Sequence, residues 1–176
     1  MNYGGVGAVI GHEITHGFDD EGSKFDALGN LKKWWTKTDR SRFISKTKKL
    51  VKQYDECEVL PGIHCNGKLT LGENIADLGG VTIAYDALQK RIKKDGVANK
   101  VSGFSPEQQF FISWAKEWSG SIRDEMNRQY LITDPHSPYK LRVNMVVNNM
   151  DAFYEAFNVR PGDKLYRKPE DRVKIW

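Results

Sequence analysis

The sequence predicts a mainly α-helical fold with little or no β-sheet. Apolar residues recur at helical spacing over residues 43–54. Ser105-Pro-Glu-Gln108 has the cap residue followed by proline that is typical of a helix start. With 176 residues, the chain is long enough to bury one good core.

Other helices follow from similar patterns along the chain. Glycines at positions 4, 5, 7 and 11 are poor helix formers, and we expect them, like Gly79-Gly80, to allow close packing between two helices. Turn signals at Pro61-Gly62 and Asn66-Gly67 predict an irregular connection. Residues 95–103 form a predicted solvent loop, and the tail 160–176 is irregular, with Trp176 suggesting a docked end. The expected helices cover about residues 3–18, about 36–54, a segment with Glu73 and Asp77 that ends near Lys94, a segment from Ser105 that is interrupted at Ser119-Gly120, about 122–131 and about 150–157.

The most informative motif is His12-Glu13-x-x-His16 in the first predicted helix. Residues four apart share one face of a helix, so both imidazoles can reach a single metal ion. Two imidazoles suit zinc, and Glu13 is placed to act as general base on a water beside the metal. The short pattern also occurs by chance on ordinary surface helices.

A catalytic zinc site needs a third protein ligand and an open position. One class of zinc peptidase takes this ligand from the position six residues after the second histidine and has a glycine three residues after that histidine. Those positions are Gly22 and Asp19 here, so the class is excluded.

A second class takes a glutamate from another helix, followed four residues later by an aspartate. Glu73 and Asp77 have this spacing, so Glu73 is the candidate third ligand. Asp77 would accept a hydrogen bond from the far nitrogen of a ligand histidine and so assist catalysis through that ligand. Asp19 could do the same for the other histidine. Each motif alone has the simpler interpretation of a solvated helix face, but apolar neighbours of both motifs argue against it.

Four segments together resemble the neprilysin/endothelin-converting-enzyme family of zinc metallopeptidases. The resemblance runs from Tyr3 to Trp176 and is nearest to bacterial members. The segments are Gly11-His-Glu-Ile-Thr-His-Gly-Phe-Asp-Asp20, Phe25-Asp-Ala-Leu-Gly-Asn-Leu31, Trp34-Trp35 and Leu71-Gly-Glu-Asn-Ile-Ala-Asp-Leu-Gly-Gly80.

The resemblance implies that residues 1–176 are the C-terminal catalytic domain of a larger enzyme, a helical zincin-type subdomain with one zinc ion. The substrate-gripping sheet and a lobe that restricts access would lie upstream, with Met1 an artificial or misassigned start. Substrates would be short peptides cut on the amino side of bulky hydrophobic residues, by Glu-assisted attack of a zinc-bound water. The partners would be peptides and the missing N-terminal part. The resemblance implies an extracytoplasmic location, periplasmic or cell-surface, with the cytoplasm as the alternative, and leaves the activity of the isolated piece open.

The segment Asp134-Pro-His-Ser-Pro-Tyr-Lys-Leu-Arg142 is the candidate second half of the site. Amide hydrolysis develops negative charge on the former carbonyl oxygen, which needs a donor besides the metal. His136 fits this role, and Arg142 fits a grip on a substrate carbonyl or carboxylate. The segment resembles the one that has these two roles in the family.

The remaining features exclude or limit other functions. The net charge of +4 comes with lysine clusters that are not interleaved with exposed aromatics, so no nucleic-acid binding is expected. No apolar run approaches the roughly 20 residues of a membrane span, so this fragment should not contact a membrane. Cys57 and Cys65 could form a disulfide or remain free thiols. The alternative function is a non-catalytic binding fragment that keeps zinc for structure.

Overall fold

A computed structural model describes residues 1–96 and 100–175 of the chain, and it confirms the mainly α-helical fold. A two-stranded antiparallel hairpin, β1 (Glu58–Leu60) with β2 (Ile63–His64), turns at Pro61-Gly62 as predicted. The helices in these ranges are α1 (Ala8–Thr15), α2 (Lys37–Asp55), α3 (Leu71–Asp95), α4 (Pro106–Glu117), α5 (Asp124–Thr133), α6 (Tyr139–Val147) and α7 (Asp151–Phe157).

The first predicted helix is a composite of three helical types. A π-helical turn at Tyr3–Gly7 leads into α1, and a 3-10 turn at His16–Phe18 follows it. The backbone of Gly5 departs from helical angles, which marks a kink within the π-helical turn. The glycine-rich start thus bends the segment that leads into the first motif.

Helix α1 packs directly on α3 through glycines, as the sequence predicts. A Cβ atom on Gly11 would lie 2.7 Å from the carbonyl oxygen of Gly80, and one on Gly80 would lie 2.3 Å from the amide nitrogen of His12. Real Cβ atoms do not come this close to backbone atoms. The two backbones therefore touch, and a side chain at either position would push the helices apart.

Helices α2 and α4 begin where their caps predict. Thr36 accepts a hydrogen bond from the amide of Asp39, and Ser105 forms a complete capping box with Gln108. One face of each helix enters a core that α3, α6 and α7 complete. Its largest side chains with under 2% exposure include Trp114, Tyr54, Phe110, Leu50, Ile75, Val81 and Val146.

Helix α6 was not among the predicted helices. The prolines at 135 and 138 favour a stiff loop around His136, but Pro138 is the N-cap of α6. Proline without an N–H group is well tolerated there, since the first N–H groups of a helix have no partner within it. As a result, Arg142 lies on a helix rather than in a loop.

The C-terminal tail is docked as far as the structure describes it. Val173 and Ile175 are buried, and Lys46 donates a hydrogen bond to the carbonyl oxygen of Ile175 at 2.9 Å. Trp176, on which the expectation of a docked end was based, lies outside the described residues, as do residues 97–99 of the predicted solvent loop.

One face of α1 and the turn before it carries a row of exposed apolar side chains. Val6, Ile10 and Ile14 are each more than half exposed, and they lie four residues apart. We define these three residues as the outer apolar row.

Among the described residues, no helix is both long enough and apolar enough to cross a bilayer.

We expect Gly80→Ala to destabilise the fold by about 1–3 kcal/mol, because its Cβ would meet backbone atoms of α1. The free energy of unfolding, from urea denaturation followed by circular dichroism, measures this. Gly17→Ala is the matched control, since nothing lies within 4 Å of a Cβ at Gly17. Equal stability of the two variants would contradict a tight α1–α3 contact.

Candidate metal centre

Helix α1 and the turn after it bring two imidazole rings together. His12 and His16 are four residues apart, and their Nε2 atoms are 3.0 Å from each other. The rings meet edge to face, and His12 is only 7% exposed. Both Nε2 atoms therefore point at a shared volume beside α3.

The first turn of α3 adds a carboxylate to this volume. Glu73 Oε2 lies 3.2 Å from His12 Nε2, and Glu73 Oε1 lies 3.6 Å from His16 Nε2. One ligand atom from each of the three residues falls within 4.8 Å of the others. The structure thus brings together the three residues that the motifs predict as metal ligands.

The other nitrogen of each histidine is held by an aspartate. His12 Nδ1 is 2.8 Å from Asp77 Oδ1, and His16 Nδ1 is 2.7 Å from Asp19 Oδ2. Asp19 also accepts hydrogen bonds from two backbone amides of the following turn, at 2.8 and 2.7 Å. An ionised carboxylate has no proton to donate and can only accept hydrogen bonds, so each Nδ1 is the donor in its pair. This arrangement fixes the tautomer in which Nε2 presents a lone pair.

The arrangement fits a cation. The Nε2 lone pairs of His12 and His16 and the two carboxylate oxygens of Glu73 lie 3.0–3.6 Å apart. All four are hydrogen-bond acceptors, so they repel one another unless a positive charge lies between them. Glu73 Oε2 is buried and accepts no hydrogen bond of good geometry from the described part of the chain, although His12 Nε2 and His136 Nε2 are each 3.2 Å away. A proton or a metal ion between these groups would relieve the repulsion. Nitrogen and oxygen donors of this kind suit zinc.

The pKa values of His12 and Glu73 also show that this site favours a positive charge. Burial by itself would lower the pKa of His12, but its hydrogen bond to Asp77 and its close approach to the Glu73 carboxylate outweigh burial and raise the pKa to about 9. Burial would raise the pKa of Glu73, but its close approach to His12 and the charges of His136 and His16 outweigh burial and lower the pKa. Without a metal, a proton on His12 therefore occupies the place of a cation.

Asp77 is completely buried and is paired with Arg142 of α6. The guanidinium donates from Nε to Oδ2 at 2.8 Å and from Nη2 to Oδ1 at 2.7 Å. Arg142 is itself 5% exposed, and its Cζ stacks 3.6 Å from the ring centroid of Trp118. The residue predicted to grip substrate thus also holds the carboxylate that orients His12.

His136 approaches the candidate metal ligands from the loop before α6. Its Nε2 lies 3.2 Å from Glu73 Oε2, and its Nδ1 lies 2.8 Å from Asp134 Oδ1. Asp134 also accepts the backbone amide of His136 at 2.8 Å. No role for Asp134 was predicted from the sequence. The available signal was local, because aspartate side chains often accept a hydrogen bond from the backbone amide two residues later.

Glu13 lies on α1 next to His12, and its side chain is exposed. Its side chain is therefore accessible to water. The structure brings seven of the eight predicted site residues into one connected set of contacts between α1, α3 and the start of α6, and Glu13 follows His12 directly on α1.

The comparisons with known proteins agree with this geometry. Residues 1–173 match peptidase family M13. The chain belongs to peptidase family M13. It is 42% identical over 181 residues to neprilysin-1 of Caenorhabditis elegans, and 43% identical over 176 residues to a neutral endopeptidase of Lactococcus lactis subsp. lactis, with all of this chain covered in both cases.

Solved structures of M13 proteins have the same fold. A zinc metalloprotease of Mycobacterium tuberculosis in complex with an inhibitor superimposes with a TM-score of 0.96 at 46% identity, over 99% of this chain and 27% of that one. PepO of Lactobacillus rhamnosis gives a TM-score of 0.86 at 40% identity, over 99% of this chain and 26% of that one. The chain spans only 24% of the C. elegans relative and 26% of the L. lactis relative.

In the metal-free chain, we expect stability to fall as the pH rises toward 9. The folded-state pKa of His12 is raised from 6.5 to about 9, so its stabilising contribution is fully present below about 6.5 and is lost as the pH passes about 9. Thermal unfolding in the presence of a chelator, followed across this range, measures the effect. A His12→Gln variant should lose this part of the pH dependence, and an unchanged profile would contradict the assignment.

Proposed function

We propose that this M13 chain is the zinc-binding catalytic part of an endopeptidase that hydrolyses short peptides. The observation that carries the proposal is the convergence of His12, His16 and Glu73 on one volume, with both Nδ1 atoms tied to aspartates. A closed structural site normally has four protein ligands. A set of three leaves a position for substrate and favours catalysis over a purely structural role.

His12, His16 and Glu73 would hold the zinc ion through Nε2, Nε2 and a carboxylate oxygen. Zinc in such a site supplies Lewis acidity, which polarises a carbonyl group and makes water more acidic. Asp77 and Asp19 keep each imidazole in the tautomer that can bind a metal, and they raise its basicity.

Glu13 would act as the general base and then as the general acid. Its exposed carboxylate, one residue after His12, can take a proton from the attacking water. The protonated carboxyl group can then deliver the same proton to the nitrogen of the leaving amine. Both steps need a group that is in reach of solvent and of the scissile bond, which fits the exposure of Glu13.

His136 would stabilise the negative charge that develops on the former carbonyl oxygen. Its Nδ1 lies 2.8 Å from Asp134 Oδ1, which orients the ring, and its Nε2 faces the ligand group, 3.2 Å from Glu73 Oε2, where a donor to the developing oxyanion is needed.

Arg142 would anchor the substrate backbone. Its bonds to Asp77 use Nε and Nη2, so Nη1 carries neither of these bonds and can face a substrate carbonyl or carboxylate. A cavity of about 240 Å³ beside it is lined by Trp118, Ile122 and Leu131, among other residues, and would suit a bulky apolar side chain. This supports cleavage on the amino side of a bulky hydrophobic residue.

The remainder of a longer polypeptide would complete the enzyme. The relatives are about four times the length of this chain, so the rest of such a polypeptide is the expected partner of the site. Placement outside the cytoplasm is part of the proposal, and fractionation of cells that express the natural protein would test it.

Protein purified without added metal should contain about one zinc ion per chain. Elemental analysis measures the ratio directly. Glu73→Gln should lower the zinc content, because the substitution removes one anionic ligand, while the fold judged by circular dichroism stays the same. A normal zinc content in this variant would exclude Glu73 as a ligand.

Glu13→Gln should keep zinc but lower peptide hydrolysis by about 10²–10⁴-fold, since the amide cannot take a proton. The assay uses the longest natural polypeptide that contains this chain, with a short peptide bearing a phenylalanine or leucine after the scissile bond. Turnover at the wild-type rate would exclude Glu13 as the base.

Glu155→Gln is the matched control for this experiment, because Glu155 is an exposed glutamate on α7, outside the residues assigned to the site. It should leave both zinc content and turnover unchanged. Equal losses in the two variants would mean that the effect is not specific to Glu13.

A further inference from the structure

A buried polar chain connects the ligand-bearing end of α3 to the His136 loop. Asn74, directly after Glu73, is 1% exposed, and its Oδ1 accepts a hydrogen bond from Ser137 Oγ at 2.7 Å. Its Nδ2 donates to Thr70 Oγ1 at 2.8 Å. Thr70 Oγ1 donates in turn to the carbonyl oxygen of Asn66 at 3.1 Å. The chain therefore runs from the loop before α3 to the loop before α6.

Ser137 connects this series of hydrogen bonds to the loop that carries His136. Ser137 follows His136 directly and is 2% exposed, whereas the His136 side chain is 47% exposed. Asp134 sets the orientation of the His136 ring through Nδ1. The Ser137–Asn74 hydrogen bond fixes the position of the backbone next to His136 relative to α3.

The energetics favour a directional role. Burying an amide and a hydroxyl costs free energy unless they are hydrogen-bonded, and here both are. A well-packed apolar pair could fill the same space with little loss of stability, but it would not fix an angle or a distance as a short hydrogen bond does. The Ser137–Asn74 hydrogen bond joins the residue after Glu73, a candidate zinc ligand, to the residue after the candidate oxyanion donor.

We propose that Asn74 and Ser137 are positioning residues that set the distance between the His136 ring and the Glu73 carboxylate. The proposal rests on the peptidase function proposed above. Asn74 and Ser137 act through His136 and contact neither the reacting atoms nor the metal. A looser loop would leave the zinc ligands in place and would move the oxyanion donor off its target.

The test compares three variants. Ser137→Ala removes the hydroxyl, and Ser137→Thr keeps it. Ser113→Ala is the matched control, because Ser113 of α4 is 8% exposed and donates to the carbonyl oxygen of Met1 at 2.8 Å rather than to the Asn74 side chain. Zinc content and circular dichroism establish that each variant is folded and loaded.

The direct readout is the ring resonance of His136 in zinc-loaded protein labelled with ¹⁵N-histidine, assigned by its loss in His136→Gln. Ser137→Ala should shift or broaden this resonance and leave those of His12 and His16 in place. Ser137→Thr should restore it, and Ser113→Ala should not change it. An unchanged His136 resonance in Ser137→Ala, or the same change in Ser113→Ala, would overturn the proposal.

The kinetic readout is made in the longest natural polypeptide that contains the chain. Ser137→Ala should lower kcat on the order of tenfold with little change in KM, because misplacement of a catalytic group acts on the transition state. A raised KM with unchanged kcat would contradict a role in positioning His136. The resonance experiment does not require hydrolysis, so its outcome is separate from that of Glu13→Gln, which tests the proposed function itself.

Discussion

The backbone contact between α1 and α3 is the constraint on which the candidate site depends. Two of the three converging groups come from α1 and its following turn, and the third comes from α3. Their separation is therefore set by how closely the helices approach, and Gly11 and Gly80 permit backbone contact. A metal of zinc's size needs ligand atoms within a few tenths of an ångström of ideal positions. The glycines, which weaken both helices locally, are thus explained by the geometry of the site.

A second constraint is the placement of ionised groups in the interior. Asp77 is fully buried, and an unpaired carboxylate there would be strongly unfavourable. It is paired with His12 on one side and with Arg142 on the other. The same carboxylate therefore orients the imidazole of a candidate metal ligand and fixes α6 against α3. This coupling links the two halves of the site, because the loop with His136 leads directly into α6.

The parts of the structure that could be predicted from the sequence are those with local signals. The capping residues before α2 and α4 mark their starts, and the four-residue spacings predicted which side chains share a face. Helix α6 was missed because prolines dominate its first residues. The pairing of Arg142 with Asp77 joins positions 65 apart and depends on tertiary packing, for which one sequence gives no pattern. The family resemblance supplied the candidate role of Arg142, but not its contact with Asp77.

The outer apolar row also affects how the chain behaves in solution. Val6, Ile10 and Ile14 are exposed on the α1 segment, whereas Ala8, Gly11, His12 and Thr15 are buried, so this segment presents a hydrophobic ridge to water. Ridges of this kind favour self-association as concentration rises, and the modest net charge of +4 gives little repulsion to oppose it. The helix that carries the histidines thus also carries an apolar surface that favours self-association, and substitutions chosen to improve solubility there would fall within one helical turn of the candidate metal ligands.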